Sequence, residues 1–232
     1  MFNNSLSINK TYFLKYLDRG ILENIAQSAF YKGMTIVGQL LLIPLSVKIL
    51  SKETFGIWIT ISTIINWLTF FDIGFNNGLR HKLVESIASG DTVLSKRYIA
   101  TSYFYITAIC FVIGCAYVIL SFSLDLQTLL FSKTERSQQV ILSLGLAFGL
   151  FLIRFVLMTI NYINLATQNS SKNDLIQFIT ISLTLAALYI FKAVRTLDLI
   201  DVVLIFSIIP IVVYMAYSIY FFYKNSSFRL SI

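Results

Sequence analysis

Arg154 is the one charged residue in a run of 35, residues 137–171. A charge near the middle of an apolar helix costs roughly 2.5–3.5 kcal/mol on insertion scales, so such a residue faces protein or a water-filled cavity rather than lipid. A guanidinium there can bind an anion through paired hydrogen bonds, or it can pair with an acid elsewhere in the bundle. Asn161 follows seven positions later, two helical turns on, and Asn164 extends the same stripe. Lys32 and Gln39 are also seven apart. Lys32 reads either as a cation at a cavity mouth or as an anchor whose stem lets the ammonium reach the interface. Arg80 lies in a polar stretch with His81 and Lys82, just after Asp72, Gly74 and Gly78. Asp72 and Gly74 are expected to end a helix, with Asn76-Asn77-Gly78 as a turn. From Leu79 to Ala88 a short amphipathic helix is expected, with Leu79, Leu83 and Ile87 on one face and Arg80 and Lys82 near lipid headgroups. The chain has one His and two Cys, Cys110 and Cys115, whose spacing puts them on different sides of a helix. Neither a metal site nor a disulfide is expected from them, and no cofactor is implied. No nucleophile–base pair or carboxylate pair suggests an enzyme.

The elements that position these residues are apolar. Of 232 residues, 57% are hydrophobic and 12% charged, with mean hydropathy +0.78. A soluble domain carries roughly 25% charge, so a water-facing surface is excluded. The net charge of +7 does not point to nucleic acid, because the basic residues are scattered between apolar runs. The fold class expected is an all-α polytopic membrane protein with six transmembrane helices, at about 26–50, 54–75, 98–123, 140–165, 175–191 and 202–223. Residues 1–25 are expected as a cytoplasmic N-terminal segment and 224–232 as a cytoplasmic tail. With both termini in the cytoplasm, that side holds ten Lys and Arg outside the spans and the other side six. Pro44 and Pro210 are expected to kink the helices that hold them.

The run Phe71-Asp72-Ile73-Gly74, then Asn77-Gly78-Leu79-Arg80 and Ala88-Ser89-Gly90-Asp91, resembles the loop after the second helix of Wzx-type O-antigen and polysaccharide lipid flippases. These belong to the multidrug/oligosaccharidyl-lipid/polysaccharide exporter superfamily. Ile43-Pro44-Leu45-Ser46-Val47 and Glu53-Thr54-Phe55-Gly56-Ile57-Trp58 are similar to its first two helices. The resemblance covers residues 30–98. It implies a bacterial inner-membrane flippase that moves an undecaprenyl-pyrophosphate-linked sugar unit between leaflets by alternating access, without covalent chemistry. It also implies two helical lobes, of which this chain supplies one, so a homodimer or a missing second lobe is expected. A lipid-linked oligosaccharide, membrane lipid and the polysaccharide polymerase machinery are the implied partners. The implied headgroup-binding residues are Arg154 and Lys32, with Arg80 at the entrance; Asn161 and Gln39 share their faces. The competing readings are an inactive fragment or non-transporting membrane subunit, and a drug or cation antiporter of the same superfamily.

Overall fold

The structure, a computed structural model, describes residues 19–69, 72–123, 137–225 and 228. Their regular structure is helical throughout: α1 (Arg19–Ile49), α2 (Lys52–Leu68), α3 (Asp72–Ala88), α4 (Thr92–Ser123), α5 (Ser137–Leu157), α6 (Thr159–Ala166), α7 (Ser170–Val194) and α8 (Leu199–Lys224). Five segments are long and apolar enough to cross a bilayer: Gly20–Ile49, Thr92–Ser121, Gln139–Ala166, Ser170–Val194 and Leu199–Lys224. The third of these joins α5 and α6 across a single turn at Met158. Large apolar side chains such as Leu40, Phe104, Phe111 and Ile119 are exposed along them, as expected where lipid is the solvent. The chain is thus built as a multi-pass helical membrane protein.

α8 is the hub. Its first half packs Val203 into a core with Ile61 of α2 and Val140, Leu144 and Ala147 of α5. On its other side Val202 meets Leu42 of α1 and Leu188 of α7. Its second half puts Val213, Tyr214 and Phe221 against Leu79 and Leu83 of α3, Ile99 of α4, and Ile160 and Ile163 of α6. The α2 start, the α1 end and the α7 end therefore share one end of the bundle, and α3 lies at the other.

α1 and α7 run parallel, and their contacts keep the same order along both. Asn24 Nδ2 donates to the Gln168 carbonyl at 2.6 Å, and Asn24 Oδ1 accepts from the Ser171 amide at 3.0 Å. The Ser28 hydroxyl then donates to the Asp174 carboxylate. Tyr31 stacks on Phe178 at 6.0 Å between ring centres, and Gly38 lies against Ile181 and Leu185.

Two expected boundaries move. α2 ends at Leu68 with Thr69 as its cap, and Asp72 and Gly74 fall in the first turns of α3 rather than at the end of the second helix. Residues 70 and 71, and the side chains of Asp72 and Gly74, lie outside the described residues. Asn76-Asn77-Gly78, expected as a turn, is helical. The reason is tertiary: Asn76, Leu79, Leu83 and Ser86 are all buried on one face of α3, while Ile87 is exposed. Burial of that stripe against α4 and α6 overrides the turn preference of Asn and Gly. The turn comes later, at Gly90, whose φ of +73° suits a residue without a Cβ.

The second shift is at residues 167–174, expected as a polar joint. The joint is only Thr167, Gln168 and Asn169, and α7 starts at Ser170. Ser171 and Asp174 of its first turns bond to α1 and Asn173 bonds to α6, so they need no loop. Pro44 and Pro210 both sit within continuous helices.

Candidate anion-binding cavity

Arg154 lies 15 residues after Gln139 and 12 before Ala166 of its span. At 1.5 Å per residue that is about 22 Å and about 18 Å from the two ends, so the residue sits close to mid-span. It lines a cavity of about 220 Å³ between α2, α5 and α8. α2 contributes Trp58, Ser62 and Asn66, α5 contributes Phe151 with Arg154, and α8 contributes Phe206 and Ser207; the rest of the lining is aliphatic. The Trp58 and Phe206 rings touch, with centres 4.7 Å apart and planes 51° from parallel.

Among the described residues the guanidinium has no counter-charge. Arg154 Nε is buried without a hydrogen-bond partner, and so is Ser62 Oγ. The ion pairs among the described residues are Lys82–Glu85 and Arg195–Asp201, both elsewhere. The reading in which Arg154 pairs with an acid of the bundle therefore fails among the described residues. A buried, unsatisfied cationic donor is costly in a folded chain. What the arrangement can do is offer that donor to an anion, with hydroxyl and amide groups beside it.

The other sequence candidates do not gather around Arg154. Asn161 belongs to α6, beyond the turn at Met158, and does not line the cavity; its Nδ2 donates to the Tyr214 hydroxyl at 3.1 Å. Asn164 is fully buried in a polar network: its Nδ2 donates to Asn173 Oδ1 at 2.8 Å, and Tyr217 donates to its Oδ1 at 2.9 Å. Asn173 in turn donates to the Asn161 carbonyl at 2.9 Å. That is a structural clasp between α6, α7 and α8. Lys32 and Gln39 do share a face, as their spacing required, but it is the exposed face of α1, and neither lines the cavity. Arg80 is exposed on α3. Beside it Lys82 donates to Glu85 at 3.0 Å, and that bond raises the Lys82 pKa above its ordinary value. Cys110 is buried, Cys115 is exposed, and both are free thiols. Among the described residues no three His, Cys, Asp or Glu side chains come together as a metal set.

Sequence reasoning missed Trp58, Ser62, Asn66, Phe206 and Ser207. One signal was available: Ser62 and Asn66 stand four apart, on one face of an otherwise apolar helix. No protein-family model, curated protein or solved structure matches this chain. Its class therefore rests on its own helices: among the described residues, a multi-pass helical bundle with a partly open, cationic, aromatic-walled cavity beside Arg154.

Proposed function

We propose that the chain is one lobe of a lipid-linked saccharide flippase, working with a second lobe or a second copy in a bacterial inner membrane. The observation that carries the reading is the unpaired Arg154 at mid-span in a cavity with Ser62, Asn66 and Ser207. A charged saccharide headgroup cannot cross hydrocarbon alone, because its charge and hydroxyls go unsatisfied there. A fixed cation and hydroxyl partners inside a bundle lower that barrier. Such a cation is expensive to hold, so a ligand for it explains its presence better than packing does. The motif resemblance at residues 71–91 points the same way. A cation antiporter fits less well, since the cavity lining holds no carboxylate. Polymerase machinery on the far side would take up the delivered unit.

Six crossings and cytoplasmic termini belong to this proposal. α2 has 17 residues, about 25 Å of helix and short of a ~30 Å hydrocarbon core. The parallel run of α1 and α7 supports its crossing nevertheless. Three crossings between them return α7 to the side from which α1 started; two would leave the pair antiparallel.

The test uses the full chain in vesicles carrying a fluorescent polyprenyl-diphosphate saccharide, read by a membrane-impermeant quencher. Headgroup exchange between leaflets is expected to exceed that of protein-free vesicles and to fall at least about tenfold in Arg154→Gln, the scale of losing a charge-assisted hydrogen-bond pair. Exchange no faster than in empty vesicles, or an unaffected Arg154→Gln, sinks the reading.

A further inference from the structure

We propose that the Arg154 cavity takes a single uronate residue of the saccharide, not the diphosphate; the inference rests on the flippase reading above and names which part of the substrate the cavity reads. Charge is the first argument. Arg154 is the one cation lining the cavity. A carboxylate carries one negative charge and matches a guanidinium in a bidentate, neutral pair. A diphosphate carries at least two, and the surplus would stay uncompensated near mid-span, where burying a charge is costly.

The walls are the second argument. Trp58, Phe206 and Phe151 present aromatic carbon to the cavity. The C–H face of a pyranose ring packs on such rings. Diphosphate oxygens placed there would lose their water and gain no donor. The remaining polar groups suit ring hydroxyls, which both donate and accept: Ser62, whose buried Oγ has no partner, with Asn66 and Ser207. Size is the third argument. A volume of about 220 Å³ falls below the ~300–1,000 Å³ of sites for drug-sized ligands. One sugar ring is the scale it admits, and an oligosaccharide is not. The diphosphate is then left to exposed cations outside the cavity, such as Lys32 and Arg80.

The test uses the full chain in detergent micelles. The chain has two tryptophans, Trp58 in the cavity and Trp67, which is 72% exposed. In a Trp67→Phe background, Trp58 emission reports the cavity alone. The probes are methyl glucuronide, methyl glucoside and inorganic pyrophosphate. Methyl glucuronide is expected to shift the emission saturably, with methyl glucoside about tenfold weaker, the worth of one charge-assisted contact. Arg154→Gln is expected to erase that preference. If Arg154→Gln loses its helical signal, Ser207→Ala replaces it and is expected to weaken both sugars severalfold. Arg154-dependent binding of pyrophosphate as tight as that of methyl glucuronide overturns the inference. So does the lack of any preference for the uronide over the glucoside. The two readings fail separately: flipping without uronide preference removes this inference alone, while uronide preference without flipping removes the transport function and keeps the cavity's ligand.

Discussion

The Arg154 guanidinium is held by packing, not by partners, and this makes a specific demand on stability. With no acid beside it among the described residues, its replacement by an apolar side chain of similar reach removes a buried charge and strands nothing. Arg154→Met is therefore expected to raise the unfolding midpoint in micelles, by about 2 kcal/mol, while abolishing headgroup exchange. A lowered midpoint would mean that the residue is structural. Asn164 makes the opposite demand. Both ends of its amide are engaged, by Asn173 and Tyr217, so Asn164→Ala leaves two half-buried polar groups without these partners. It is expected to lower stability by about 1–2 kcal/mol in the same measurement. A loss of under a few tenths would show that the network contributes little. The two residues differed in how visible they were. A charge within an apolar run is legible in one dimension, and that identified Arg154. Its cavity partners come from α2 and α8, distant in sequence, and only packing brings them together. For Lys32 and Gln39 the seven-residue spacing fixed a shared face correctly. Spacing says nothing of which face a neighbouring helix covers, and here α7 covers the stripe of Asn24, Ser28, Tyr31 and Gly38 beside them.

At the scale of elements, the α1–α7 contact turns on one glycine. A Cβ at Gly38 would sit 2.5 Å from Ile181 Cγ2. That methyl belongs to a β-branched side chain with little rotamer freedom in a helix, so the helices must separate to admit it. Gly38→Ala is expected to destabilise by about 1–3 kcal/mol despite the better helix propensity of alanine. Gly33 on the same helix has open space around its Cβ position, so Gly33→Ala is expected to be neutral or stabilising by up to ~1 kcal/mol. Unfolding midpoints of the two variants decide the matter, and equal effects would show that the close approach does not hold the pair. The span cores themselves were legible, because hydropathy reports directly on what lipid tolerates. Their ends were not. Ser170, Ser171, Asn173 and Asp174 look like a loop, yet they form the first turns of α7, and Ser171 and Asp174 bond to Asn24 and Ser28 of α1. Asn76 looks like a turn residue and is buried in α3. At the start of α7 a neighbouring helix satisfies polar groups that composition alone assigns to water, and at α3 burial of the Leu79 and Leu83 stripe overrides a turn preference.

For the whole molecule, the order of contacts along α1 and α7 constrains the path of the chain through the bilayer. α1 ends beside the start of α2, and α3, which follows α2, packs at the far end of the bundle with α6 and the second half of α8. α2 thus connects the two ends although it is about 25 Å long. Its polar ends, Ser51 and Lys52 at one and Thr69 at the other, would draw headgroups and water inward, a modest cost when a helix is slightly short for its membrane. The six crossings proposed above would place Gly90 and Lys224 on one side and Lys52 on the other. The proposed cytoplasmic side is that of Gly90, where Arg80, Lys82, Lys96, Arg97, Lys172 and Lys224 would fall. Single cysteines placed at these positions, after Cys110→Ala and Cys115→Ala, report the sides directly. A membrane-impermeant maleimide added to intact cells is expected to label the cysteine at position 52 and to spare those at 90 and 224 until the membrane is opened. Labelling of 52 and 90 from the same side would make α2 a surface helix. The chain would then cross five times, α1 and α7 could not both run parallel and span the bilayer, and the cavity between α2, α5 and α8 would lose its place at mid-membrane.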